Sequence, residues 1–341
     1  MIFGSSSSIS LNLGLQGGGA HGAFTWGVLD ALLEDGRIAF DGVSATSAGA
    51  MNAVVLAHGL LQGGNDGARQ ALADFWRGVA ERTPFEIAIP SADGKDFRLN
   101  PAVKMMLRWT HYLSPSQLNP FDFNPLRDIL AEQVDFARLR KHSPIRLFIA
   151  ATQANSGKLR LFRERELTVD AVLASACLPT IHRAVVIDGE PYWDGGYSAN
   201  PAVFPLIYQC RSQDILLVLL TPLHHKETPD SAADIKARTL DVAFNAAFLR
   251  EMRMFADLRQ VVDAAWLRIG RLERRIAHTR FHAIEAEDLI NELGAETKLA
   301  ANLQFFEMMR EHGRERTKRW IKAKLPQLGR QSTIDLKKLF G

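Results

Sequence analysis

The chain has 341 residues, of which 47% are hydrophobic and 23% charged, and a formal net charge of +3. That composition supports a sizeable core and excludes disordered, collagen-like and disulfide-scaffold classes. At roughly 150 residues per domain it allows two domains, or one α/β domain with insertions. The two cysteines, Cys177 and Cys210, lack zinc or redox spacing, and no cluster of His, Cys or carboxylates implies a metal or an organic cofactor.

Residues 9–15 (ISLNLGL) alternate apolar with small or polar side chains, which predicts a strand. It leads into Gly17, Gly18, Gly19, Ala20, His21 and Gly22, and then into a helix over 23–33. Residues 40–46 predict a second strand, with Ser47 at the turn and a buried helix over 48–58. Two βα units in succession predict an α/β fold with a largely parallel central sheet covered by helices. Further strands are predicted over 145–152, 158–162, 184–187 and 215–220.

The stretch 59–140 is punctuated by Gly and Pro and carries Trp109, Tyr112, Phe121 and Phe123. It reads as an insertion over the sheet edge, either a surface helical subdomain or a lid over an apolar site. From residue 231 the pattern is charged and helical, and the net charge of residues 231–341 is +6 against −3 before them. The expected organisation is therefore an α/β domain over 9–222, with 59–140 as a lid-like insertion, and a helical, basic C-terminal region over 231–341.

Ser47 lies in Ala45-Thr46-Ser47-Ala48-Gly49, one residue away from the GxSxG nucleophile elbow. Small neighbours let strand and helix approach closely around a strained nucleophile, and the turn brings the Ala48 N–H toward an oxyanion. A helix-capping serine fits the same position. Without Cβ atoms, Gly17, Gly18 and Gly19 can turn their N–H groups toward a substrate oxygen. Gly17, Gly19 and Gly22 also satisfy the GxGxxG dinucleotide fingerprint, for which Asp41 is the nearest acidic residue at the required spacing. Asp194, before Gly195 and Gly196, projects a carboxylate from a tight turn or forms an Asx turn.

These three elements, in this order, resemble the patatin-like phospholipase family. The likeness rests on the glycine loop 17–22, the elbow 45–49 continuing as Ala50-Met51-Asn52-Ala53, and the turn at Asp194. The stretches Ala174-Ser175-Ala176-Cys177-Leu178-Pro179 and Ser198-Ala199-Asn200-Pro201 add to it. Ala45 replaces glycine, and His21 stands where Arg or Lys is common. The resemblance implies a three-layer patatin-like fold and a lipid acyl hydrolase in which Ser47 is the nucleophile and Asp194 its base. Oxyanion donors would come from Gly17, Gly18, Gly19 and Ala48, with Gly22, Gly49, Gly195 and Gly196 as motif support.

A carboxylate of ordinary pKa is a poor base toward a serine unless burial raises it. A Ser-Asp-His triad through His224 or His225 follows the α/β-hydrolase order, and a nucleotide held by Gly17 to Gly22 is the competing class. The expected partner is a lipid or other acyl ester, not nucleic acid. Residues 310–324 hold seven basic residues against two acidic ones, with Trp320 and Ile321 among them. They read as a solvated helix face or as a dock on anionic lipid. Residues 1–10 show no signal-peptide pattern, and no window reaches the roughly 18 apolar residues of a membrane span. The expected location is the cytoplasm, at most peripheral on the inner membrane surface.

Overall fold

The computed structural model describes residues 9–83, 88–90, 97–100, 105, 113–225, 227–264, 270–293 and 295–341. The first strand, β1 (Ile9–Leu15), enters α1 (Gly22–Asp35) through the glycine loop, and β2 (Ile38–Thr46) enters α2 (Ala48–Arg82) at Ser47. A two-stranded ladder of β3 (Ala88–Pro90) and β4 (Phe97–Leu99) follows, then α3 (Pro115–Leu118), α4 (Pro125–Gln133) and α5 (Phe136–His142). Next come β5 (Arg146–Gln153), β6 (Leu159–Arg163), α6 (Val169–Ser175), β7 (Val185–Ile187), β8 (Glu190–Asp194), α7 (Phe204–Gln209) and β9 (Asp214–Leu219). The C-terminal third contributes α8 (Ala232–Ala264), α9 (Arg271–His278), β10 (Arg280–Glu285), α10 (Glu287–Glu292), α11 (Leu303–Lys324) and α12 (Leu336–Phe340).

Five strands run parallel in the order β10-β9-β1-β2-β5, while β6 and β8 join β5 antiparallel and β7 pairs with β8. Alternation along β9 shows how one strand serves two cores. Leu216 and Val218 join the core of α1, α2 and α11, whereas Ile215, Leu217 and Leu219 face Phe248, Met252 and Phe255 of α8. The result is a three-layer α/β fold whose central strands are buried on both faces, as apolar parallel strands require. No helix among the described residues is long and apolar enough to cross a membrane.

Besides the small β3–β4 ladder, two strands of the main sheet escape the sequence reading. The segment expected only as a turn at Asp194 is the end of β8, and the helical-looking C-terminal region contains β10, which extends the sheet beside β9. The stretch expected as an insertion divides as well. Ala68, Leu72, Phe75 and Trp76 of α2 and Ile129 and Leu130 of α4 are core residues rather than cover over a sheet edge. Trp109 and Tyr112 lie outside the described residues.

The basic segment 310–324 also differs from expectation. Helix α11 packs so closely on α1 that a Cβ on Gly27 would fall 2.0 Å from the Arg310 carbonyl oxygen, and one on Gly313 2.2 Å from that of Phe24. Two of its arginines turn inward, where Arg310 meets the buried Asp30 at 3.1 Å and Arg314 pairs with Asp30 and, at 2.8 Å, with Glu34, while Lys318 and Arg319 keep to the expected solvated face. Burial pushes the Asp30 carboxyl up, but Arg69, Arg314 and Arg310 more than reverse this and hold it below the usual range. Trp320 and Ile321 are 8% and 9% exposed. They are core residues, so the apolar anchor of the anionic-lipid dock is not at the surface.

Candidate active site

The sheet register brings the two reactive side chains together. Strand β2 pairs with β5 as far as Thr46 opposite Ala150, and the next β5 residue, Ala151, pairs with Asp194. Because β6 occupies the other edge of β5 along these residues, β8 continues the line of β2 from the opposite direction. The C-terminal ends of β2 and β8 therefore meet head to head, with Ser47 leaving the sheet where Asp194 arrives.

Ser47 adopts φ 55° and ψ −123°, a conformation that costs a non-glycine residue about 1–3 kcal/mol and is held only when its surroundings over-determine it. Its carbonyl accepts the N–H groups of Ala50 and Met51 at 2.8 and 3.1 Å, and its own N–H donates to Ser175 Oγ at 2.9 Å. Gly49 is required at the elbow by close approach, since a Cβ there would lie 2.5 Å from the Leu15 carbonyl oxygen. Ala45, in place of the first glycine, is accommodated with no exposure at all.

Asp194 is completely buried. Its N–H donates to the Cys177 carbonyl at 2.8 Å, and its carbonyl accepts the Thr152 hydroxyl at 2.8 Å. Oδ1 accepts the Gly196 N–H at 2.7 Å, so the expected Asx turn is present, while Oδ2 is buried without a hydrogen bond among the described residues. Burial raises the Asp194 pKa to about 7, with the Gly196 N–H and the Ser47 hydroxyl pulling in the other direction. The Ser47 hydroxyl thus lies within reach of the carboxylate. Among the described residues no histidine is among the groups acting on Asp194, so neither His224 nor His225 completes a triad there.

The glycine loop presses on the serine, because a Cβ on Gly17 would come within 2.7 Å of Ser47 Cβ. The Gly17 N–H, expected as an oxyanion donor, instead donates to Asn200 Oδ1 at 2.7 Å. A competing acceptor from a distant part of the chain has taken it. The N–H groups of Gly18, Gly19 and Ala48 make no hydrogen bond among the described residues. Gly22 abuts Ala48 and Trp76, Gly195 the Ala150 carbonyl, and Gly196 the Phe244 ring of α8.

Asp41 accepts the N–H groups of Arg211 and, at 2.8 Å, Ser212, so the acidic residue needed by the dinucleotide reading is engaged elsewhere. His21 is no cation either. Burial, with Lys298 nearby, lowers its pKa to about 3, and Nε2 contacts Thr297 Oγ1 at 2.8 Å.

Several residues without a role in the sequence reading complete the site. Asn200 and Ser175 restrain the loop and the elbow. Asn52 donates to the carbonyls of Gly22 and Ala48 at 3.0 and 3.1 Å and accepts from Trp76 at 3.0 Å, tying the starts of α1 and α2 together. Gln16 accepts from Leu220 and Thr221 and donates to Asn245 of α8, while the Phe244 ring packs at a tilt against Tyr197 with centroids 4.5 Å apart. Asn200 and Ser175 stood inside motif stretches, so their positions were visible although their acceptor roles were not.

A strained serine between strand and helix, beside a buried aspartate and a glycine loop on a three-layer α/β sheet, defines a hydrolase-type site. The family model "Patatin-like phospholipase" matches residues 13–207, more than half of the chain, including the glycine loop, Ser47 and Asp194. The chain belongs to the patatin-like phospholipase family, whose general activity is hydrolysis of ester bonds in lipids. A comparison with curated proteins finds no match. Among solved structures, VipD from Legionella pneumophila is similar at a TM-score of 0.44 and 16% identity, over 93% of this chain and 67% of that one.

Proposed function

We propose that this chain is a phospholipase A or esterase-type lipid hydrolase that cleaves carboxylic esters through a Ser47–Asp194 dyad and an acyl-enzyme. The observation that carries the reading is the unpaired Oδ2 of a fully buried Asp194 at the strand end that meets Ser47. A pKa near 7 suits a general base at neutral pH, since it balances the ionised fraction against proton affinity.

Asp194 Oδ2 takes the Ser47 proton as Oγ attacks the ester carbonyl, and the Gly18, Gly19 and Ala48 N–H groups stabilise the oxyanion. Asp194 then returns the proton to the departing alcohol. Water, deprotonated by the same carboxylate, then attacks the acyl carbon, and Ser47 Oγ leaves with that proton as the fatty acid is released. Reaction with an active-site fluorophosphonate, mapped by peptide mass spectrometry, tests this. The expected result is an adduct on Ser47 that disappears in folded Asp194→Asn. An adduct that survives there moves the base elsewhere, and no adduct with or without lipid vesicles removes the hydrolase reading.

A further inference from the structure

The turn at residues 119–124 carries apolar surface that the fold leaves uncovered. Phe121 is 92% exposed and Phe123 56%. The backbone between them is nevertheless clasped. Asn119 Nδ2 donates to the Phe123 carbonyl at 2.8 Å, and the Phe123 N–H returns to Asn119 Oδ1 at 2.9 Å. Arg183 donates to the carbonyls of Asn119 and Pro120 at 3.2 and 2.9 Å, so its guanidinium is engaged in holding the turn. Asp122, at φ 53°, lines a cavity of about 150 Å³ together with Cys177 and His182. The Cys177 carbonyl is the group that holds the Asp194 N–H. The turn is thus tied, through Cys177, to the strand end that carries Asp194.

Two phenylalanine rings offer at most about 300–500 Å². A stable protein interface needs about 800 Å² from each partner, so a second copy or a folded protein is a poor match for so small a tip. A lipid surface demands no complementary shape and takes aromatic side chains to its headgroup boundary. The turn carries the Asp122 carboxylate and leans on the Arg183 guanidinium, one charge of each sign, which favours a neutral over an anionic surface.

We propose that Phe121 and Phe123 seat the active site on a neutral lipid surface, from which the ester is drawn. This rests on the lipid-hydrolase reading above, but binding and labelling test the two separately. The experiment is sedimentation of the full chain with phosphatidylcholine vesicles at low and high salt. The comparison set is wild type, Phe121→Ser, Phe121→Ser with Phe123→Ser, and Phe121→Trp, with circular dichroism to establish folding.

Wild type is expected to bind equally at both salt concentrations. Phe121→Ser should bind about tenfold more weakly, the double variant weaker still, and Phe121→Trp like wild type. Absence of wild-type binding, a double variant that binds like wild type, or binding abolished by salt overturns the proposal. So does a wild-type dimer that the double variant converts to monomer, which would assign the tip to a second copy. Fluorophosphonate labelling of Ser47 in the same wild-type sample reports on the hydrolase reading alone. A labelled protein that ignores vesicles sinks the docking turn and leaves the dyad standing.

Discussion

Asp194 and Asp214 are both buried at strand ends of one sheet, yet their environments drive them in opposite directions. Around Asp214 every need of a carboxylate is met. Arg280 grips it at 3.0 and 2.8 Å, His282 Nε2 approaches at 3.0 Å, and the Gly329 N–H donates at 3.0 Å. Burial pushes this carboxyl up, but His282, then Arg280 and Gly329, reverse it and hold the group well below the ordinary range. Asp194 receives one backbone N–H and the influence of a serine, and burial prevails. Burial alone therefore does not set the direction of the shift; the supply of charged partners does. Asp214 joins β9 to β10 and to the chain after α11, whereas Asp194 keeps an oxygen in reserve.

The largest expected effect breaks the pair on its reactive side. Asp194→Asn should slow fluorophosphonate labelling of Ser47 by about 10³-fold, within the range of a lost general base, while circular dichroism remains that of a folded protein. Labelling within a factor of a few of wild type would mean that Asp194 is as structural as Asp214. Next in size is the converse change. Asp214→Asn strands the Arg280 guanidinium and should cost about 3 kcal/mol in denaturant unfolding, with the labelling rate of the folded fraction little altered. A stability loss below about 1 kcal/mol would show that the network around Asp214 contributes far less than its geometry suggests.

A third measurement sharpens the contrast without mutation. The labelling rate should rise about tenfold per pH unit below the Asp194 pKa of about 7 and level off above it, because only the ionised carboxylate accepts the serine proton. A profile flat from pH 5 to 8 would argue that the base titrates like an ordinary carboxylate.

What was legible in the sequence is what is local. The elbow and the glycine loop are strand-turn-helix units whose small residues stand within a few positions of one another, so Ser47 and its neighbours could be read directly. The fate of the Gly17 N–H depends on Asn200, 183 residues away, and no local pattern announces that bond. The arginines of α11 show their sign in the sequence, but their partner Asp30 lies 280 and 284 residues distant. Strand β10 reads as part of a charged helical stretch because RFHAIE suits either state, and only pairing with β9 decides it. Strand β8 is five residues long and contains Pro191, so its tight turn is more visible than the strand carrying Asp194 into place.

The smallest effect is a pH dependence of stability, and its sign separates the two aspartates. The folded-state pKa of Asp194 is raised from an ordinary 3.8 to about 7, so the folded chain holds this proton more tightly than the unfolded chain. Its contribution to stability is complete below pH 3.8 and is lost as pH rises toward 7. Asp214 behaves oppositely: its contribution is present above the ordinary carboxylate range and is lost as pH falls through its depressed pKa. Asn at position 194 is neutral throughout and escapes the cost of ionising a buried group. Melting of Asp194→Asn against wild type from pH 4 to 8 should therefore show a difference that moves in the variant's favour by a few degrees as pH rises. A difference that stays constant would mean that the Asp194 carboxylate is solvated or paired at neutral pH. The reserve of basicity assigned to it would then be absent.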